Sequence, residues 1–285
     1  MIETGESLAL TAIGMNPAQG KWRTEAMRSH RSPRMIFIAR GQGRVTVAGL
    51  TSGYGPNNLI FVPAGTMYGI EVGPTVFGQM LTIPRAMAMD WPEEPVHLRL
   101  RDVIAQKDLA THLDNLEREL GSSAPGHDRA ALYQLGLLSV FFERQLAARD
   151  RDAADARAET SAARLVAAFT DLVERDFRKP LGVGDYARAL GVTPTHLTRC
   201  CKQTCGRSAL DLLNDRILFE ARILLRDSDL PVNQIATDLG FASAAYFSRA
   251  FQGRTGTTPT AFRRKGPLAN APAPSRPVRR YMPLG

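Results

Sequence analysis

Residues 235–259 read IATDLGFASAAYFSRAFQGRTGTTP, and residues 186–210 read YARALGVTPTHLTRCCKQTCGRSAL. These are two copies of one pattern. Ala187, Leu190, Gly191 and Val192 correspond to Ala236, Leu239, Gly240 and Phe241 at a spacing of 49. Leu197, Arg199 and Cys201 correspond to Phe247, Arg249 and Phe251 at a spacing of 50, which Gly206 and Gly256 keep. One residue inserted in a turn accounts for the change. Such self-similarity marks a single supersecondary unit used twice.

Each copy has the logic of a helix-turn-helix. A small residue, Ala187 or Ala236, lets the first helix pack closely on the second, and Leu190 or Leu239 reaches the core. Gly191 or Gly240 then supplies a left-handed turn at low steric cost, with Val192 or Phe241 anchoring it. The second helix opens on a cap: Thr193 followed by Pro194 in the first copy, Ser243 in the second.

The second helices divide into faces. Leu197, Cys200, Cys201 and Thr204 form an inward stripe, as do Phe247, Ala250 and Phe251. The outward stripe is Thr195, Thr198, Arg199 and Lys202 in the first copy, with His196 beside it. In the second copy it is Ala245, Tyr246, Ser248 and Arg249. Hydroxyls with one arginine per helix suit the reading of base edges, because a guanidinium grips O6 and N7 of guanine bidentately. Between the copies, Ala209–Leu225 is an uninterrupted helical stretch with Leu212, Leu213, Ile217 and Leu224 as apolar contacts. A rigid spacer suits two recognition helices entering successive major-groove turns, roughly 34 Å apart.

Charge follows the same division. Residues 1–159 hold 17 Lys/Arg against 18 Asp/Glu, whereas residues 160–285 hold 19 against 10. The basic part therefore points to a polyanion, double-stranded DNA, as partner. No stretch approaches the roughly 18 apolar residues of a membrane helix, and the start, MIETGESLAL, has no signal-peptide pattern. The expectation is a cytoplasmic protein with no membrane partner. Cys200, Cys201 and Cys205 crowd one helix and read as reduced thiols, with a redox-sensing role for Cys200 or Cys205 as the alternative.

Upstream, short apolar runs alternate with Gly, Pro and Asn. Met35–Ala39, Val45–Ala48, Leu59–Val62, Met67–Val72 and Val76–Ile83 read as strands of a small barrel or sandwich, with Gly53–Asn58 as one of the turns. The period then becomes helical. Leu109, Leu113, Leu116 and Leu120 share one face, and Leu132, Leu135, Leu138, Phe142 and Leu146 follow on a second helix that starts near His127. These stripes either cover the open face of the β domain or pair with a second copy. The chain thus divides into residues 1–149, a charged alanine-rich linker at 150–162, a helical unit at 163–265, and a basic tail at 266–285 that reads as disordered.

Taken together, Asp185-Tyr-Ala…Leu190-Gly-Val…His196-Leu-Thr-Arg199…Lys202…Gly206 and Ile235-Ala…Leu239-Gly-Phe241…Tyr246-Phe-Ser-Arg249-Ala-Phe251…Gly256-Thr-Thr-Pro259 resemble the AraC/XylS regulators of bacterial transcription. The resemblance spans about residues 163–265. It implies an α+β two-domain chain whose C-terminal all-α domain holds two helix-turn-helix modules on a linker helix. It further implies binding of promoter or operator half-sites, activation through RNA polymerase, and a homodimer responding to a small-molecule effector. The N-terminal part looks like a cupin-like effector and dimerisation domain. Phe61-Val-Pro-Ala-Gly-Thr-Met-Tyr68 is similar to the cupin turn Pro-x-Gly-x-x-His, with Tyr68 where metal-binding cupins place histidine.

The histidines at 30, 97, 112, 127 and 196 are scattered, so the sequence offers no converging metal ligands, no cofactor site and no catalytic residues. If the barrel is a pocket, Trp22, Arg34, Phe37, Met67 and Tyr68 are the candidates to line it, with Arg34 able to pair a carboxylate. A cupin enzyme with a DNA-binding tail would need the metal ligands that are missing. An architectural protein would bind all duplexes alike, whereas a regulator favours its own site by about 10³ or more.

Overall fold

The computed structural model describes residues 7–14, 22–152 and 160–264. Two stretches set the N-terminal architecture. Met35-Ile-Phe-Ile38 and Leu59-Ile-Phe-Val62 are apolar at every position, which a strand tolerates only when both of its faces are covered. They lie in β2 (Arg34–Arg40) and β5 (Asn58–Val62), adjacent in an antiparallel five-stranded sheet. Its order is β1 (Ala9–Gly14), β7 (Phe77–Thr82), β2, β5, β8 (Val96–Arg99). Met35 lies opposite Phe61 and Leu81, and Ile36 opposite Ile60 and Met80.

Period-2 alternation sends these residues into two different cores. Met35, Leu59, Phe61 and Leu81 face α2 (Val103–Leu120) and α3 (His127–Asp152). Ile36, Ile38, Ile60 and Val62 face a second sheet of β4 (Leu50–Tyr54), β3 (Gly43–Val47) and β6 (Tyr68–Ile70). The expected small barrel therefore takes the form of two packed sheets with a helical layer behind.

That layer decides between the two readings of the leucine stripes. Leu109, Leu113 and Leu116 of α2 and Leu135, Leu138 and Phe142 of α3 are buried against the sheet. The open sheet face needs a cover, and these side chains supply it, so the stripes do not pair with a second copy. The five expected strands form, and three more appear: β1, β4 and β8. Residues 50–54, of which Gly53 and Tyr54 fall in the expected turn, pair with β3 instead. Met67–Val72 yields only a three-residue strand, because Met67 turns away into another core.

The helical unit follows. Helix α4 (Ser161–Asp176) opens on Thr160, whose hydroxyl accepts from the Ala163 amide. It precedes α5 (Val183–Ala189), α6 (Pro194–Cys205), α7 (Ala209–Asp227), α8 (Val232–Asp238), α9 (Ala244–Thr255) and α10 (Pro259–Arg264). Both ends of the expected linker are thus helical, α3 running to Asp152 and α4 starting at Ser161. The central residues 153–159 and the basic tail lie outside the described residues.

The two units share a core. Met27 and Met67 are fully buried among Val166, Phe169 and Val173 of α4 and the apolar residues of the other helices. The β3–β4 hairpin turns on Ala48 and Gly49, both at positive φ (47° and 74°), as two-residue hairpin loops require. Its tip rests on α4 so closely that a Cβ on Gly49 would lie 2.3 Å from Cγ1 of Val166.

Gly65 gives the control for this contact, since it has φ +75° and open space around the same position. Gly65→Ala should cost only the backbone strain, about 1–2 kcal/mol. Gly49→Ala should cost about 1–3 kcal/mol more, because the methyl must displace α4. Urea unfolding of both variants measures the difference; equal losses would show that the hairpin tip does not press on α4.

Candidate nucleic-acid interface

The repeated glycines do what their φ values demand. Gly191 and Gly240 sit at +68° and +76°, and in each copy the next amide closes the turn: Val192 donates to Ala187 O at 3.0 Å, Phe241 to Ala236 O at 2.9 Å. The caps match as well. Thr193 Oγ1 accepts from the His196 amide and Ser243 Oγ from the Tyr246 amide, each at 3.2 Å. Helices α6 and α9 end on Gly206 and Gly256 in the left-handed conformation, φ 72° and 73°. Two sequences that share few side chains therefore build one backbone twice.

The cores beneath are closed. Ala187, Ala236, Leu197, Phe247, Cys201 and Phe251 are almost wholly buried, and Cys200 is nearly so. Burial pushes the Cys201 thiol up to about 12 and raises that of Cys205, so both are protonated near neutrality. Cys205 donates to Cys201 O at 3.1 Å. The outer faces stay open. Thr195, Arg199 and Lys202 on α6 are exposed, as are Ala245, Tyr246 and Arg249 on α9; His196, Thr198 and Ser248 are half-buried beside them. On α6 the Arg199 guanidinium donates from Nη2 to His196 Nδ1 at 3.0 Å.

What holds the two modules in one frame is a buried ion network that the sequence reading missed. Arg216 of α7, 5% exposed, donates from Nε and Nη2 to the two carboxylate oxygens of Glu174 on α4 (2.6 and 3.1 Å). Its Nη1 donates to Glu220 at 2.9 Å, and Arg178 completes the set on Glu220 at 2.5 Å. The guanidinium carbon of Arg216 lies 3.9 Å from the Phe177 ring centroid. Burial pushes the Glu220 carboxyl upward, but Arg216 and Arg178 outweigh it and hold the group below the ordinary carboxylate value. The signal was present as two opposite-charge pairs four residues apart, Glu174/Arg178 and Arg216/Glu220. The turn of the second module is tied to the same place, since a Cβ on Gly240 would lie 2.7 Å from Arg178 O.

The five candidate effector residues do not converge. Tyr68 is buried between the two sheets, its hydroxyl 3.8 Å from Met80 Sδ, and strand alternation puts Arg34 on the same side as Ile36 and Ile38. Phe37 packs in the core under α2 and α3, and Met67 in the helical core. The side chain of Trp22 lies outside the described residues. Tyr68 has a partner that sequence reasoning did not identify. Arg28 is buried with its guanidinium 4.5 Å from the Tyr68 ring centroid and 6.0 Å from that of Phe219 on α7. A cleft of about 580 Å³ adjoins it, between residues 29–31 and helices α4 and α7.

These features define a class: a two-sheet domain sharing a core with a rigid pair of helix-turn-helix modules. Known proteins match in the same two places. Residues 186–265 match the family described as a helix-turn-helix domain, and residues 18–136 match the AraC-like ligand binding domain. The chain belongs to the AraC family.

The HTH-type transcriptional regulator GlxA of Rhizobium meliloti is 36% identical over 119 residues, covering 42% of this chain and 36% of that protein. The arabinose operon regulatory protein of Escherichia coli is 30% identical over 81 residues, 28% of each chain. The chain therefore spans only about a third of the length of these curated relatives. Among solved structures, ToxT from Vibrio cholerae bound to an unsaturated fatty acid aligns at 14% identity and a TM-score of 0.45. That alignment covers 92% of this chain and 97% of ToxT.

Removing Arg216 would strip Glu174 of its bidentate partner and leave the half-buried Glu220 carboxylate with Arg178 alone. Arg216→Met should lower unfolding stability by about 3–5 kcal/mol at pH 7. Glu220, held below its ordinary value in the fold, stabilises above the carboxylate range, and that contribution is lost as pH falls. The deficit of the variant should therefore shrink toward pH 4, as the carboxyls it strands take up protons. Urea titrations at the two pH values test this; a deficit that grows in acid would contradict the network.

Proposed function

We propose that this chain is a sequence-specific DNA-binding transcription regulator that responds to a small-molecule effector, and not an enzyme. The observation that carries the reading is the equivalence of Arg199 and Arg249. Each lies exposed at the same position of a recognition helix, on modules joined by one continuous helix and a buried ion network. Thr195, His196, Thr198 and Lys202 on α6, and Ala245, Tyr246 and Ser248 on α9, complete the two reading faces. The division at residues 1–149, 150–162, 163–265 and 266–285 is part of the proposal, with the effector bound by the first segment, where Arg34 and Tyr68 are the best remaining candidates. Action in the cytoplasm as an activator working through RNA polymerase rests on family kinship alone.

The reading includes a homodimer, formed through a face of α3 that the leucine stripes do not use. Tyr133, Leu137 and Val140 are 67%, 53% and 41% exposed and recur at helical spacing. An exposed apolar row of this kind marks an interaction surface. Gly136 on the same face has open space around its Cβ position, so a second backbone can approach. An antiparallel two-fold near Gly136 brings Tyr133 close to Val140 of the second copy and Arg129 close to Glu143, a match of charge and shape.

Arg199→Ala and Arg249→Ala should each weaken binding to the preferred duplex by about 1–3 kcal/mol and relax one base position, as read by selection from random duplexes. If both variants keep wild-type affinity and preference, the outward faces have been misassigned. In sedimentation experiments Leu137→Glu should turn a dimer into a folded monomer. A wild-type monomer, or a dimer that survives the substitution, would remove α3 from the interface.

A further inference from the structure

On α6 three side chains form a relay along one face. Arg199 Nη2 lies 3.0 Å from His196 Nδ1, and His196 Nε2 lies 3.7 Å from Cys200 Sγ. A guanidinium carries donors only, so Nδ1 must accept, and an imidazole that accepts at Nδ1 carries its proton on Nε2. That N–H donates to the Cys200 sulfur, which is buried in the core and cannot follow the side chains above it. The imidazole is thereby braced from below and holds the guanidinium from above. Arg199 spends one of its five N–H donors on the brace, leaving a fork free to point outward.

The second module has no such brace. Tyr246 takes the place of His196, with its ring 5.9 Å from Phe241, and Arg249 has no hydrogen bond or ion pair among the described residues. An unbraced arginine must surrender its rotamer freedom on meeting a base, whereas a braced one has already done so. We infer that His196 is a positioning residue: it preorganises Arg199, through Nδ1, for reading one base in the groove entered by α6, and makes the first module the more discriminating reader. The inference rests on the groove-reading role proposed above.

The test uses the full-length protein and duplexes with a fully randomised core, selected against wild type, Arg199→Ala, His196→Leu and His196→Asn. Asparagine restores an acceptor close to the position of Nδ1, and leucine fills the space without one. His196→Leu should lose about tenfold in discrimination at the base position that Arg199→Ala also relaxes. His196→Asn should keep that discrimination, a rescue that a merely structural histidine would not predict. If His196→Leu keeps the preference that Arg199→Ala loses, or if His196→Asn fails like leucine, the positioning role is overturned although groove reading survives. If Arg199→Ala keeps the preference, groove reading by α6 falls, and the inference with it. Thermal unfolding of each variant confirms that the half-buried position tolerates the change.

Discussion

Helix α4 has to satisfy two neighbours with one set of side chains, and the rest of the molecule is arranged around that constraint. Its Val166, Phe169 and Val173 belong to the core of the helical unit, yet the tip of the β3–β4 hairpin lies on Val166 and Thr170, and Met27 and Met67 fill the same core from the N-terminal side. Helix α4 also supplies Glu174 to the Arg216 network. The helical unit is therefore packed against the two-sheet domain rather than hung from it. A residue such as Gly49, which belongs to one unit by sequence, is fixed by the other through sterics. Cores packed at this density transmit displacement instead of absorbing it.

That packing gives the outward faces their value. An arginine on a helix is worth little to recognition unless its Cα is held in register with its counterpart. Here the register is set by short-range chemistry repeated twice: a left-handed glycine, a hydroxyl cap and a second left-handed glycine. It is set again at long range by α7, whose Arg216 is fastened to α4 by two hydrogen bonds and by contact with Phe177. The local devices orient each recognition helix on its own module, and the network orients the modules on each other.

The parts of this plan that are local were readable from residues alone. Gly191, Gly240, Thr193, Ser243, Gly206 and Gly256 announce their conformations because few other residues serve there. The long apolar runs of β2 and β5 were readable as strands because their composition is extreme. Strand β4, LTSGY, was not, since a short polar strand looks like a turn until its partner is known. The leucine stripes of α2 and α3 stayed ambiguous because a helix covering a sheet and a helix meeting its own copy use the same period. Only the position of the sheet separates the two, and it leaves Tyr133, Leu137 and Val140 as the face still open. Met67 illustrates the deeper limit. It sits one residue from Tyr68 in a strand-like run, and nothing in its neighbours signals that it crosses into another unit's core.

The two modules share a backbone plan and differ in what fills it, which gives the seam between the units a direction. Beneath α9 the aromatic rings of Phe241, Phe247, Phe251 and Phe262 stand in series, each 5.1–5.8 Å from the next. Their flat faces leave few alternative packings. Beneath α6 the corresponding space holds Cys200 and Cys201, and the same core contains Met27 and Met67, residues whose size and flexibility let them repack at low cost. Helix α6 also lies against α4 and reaches β4, with contacts more extensive than α9 makes with either. The two-sheet domain therefore meets the first module directly through soft contacts, and is joined to the second through α7, the ion network and the Gly240 turn packed on residues 178–180. The core is thus softer beneath the helix that carries Arg199 than beneath the aromatic second module.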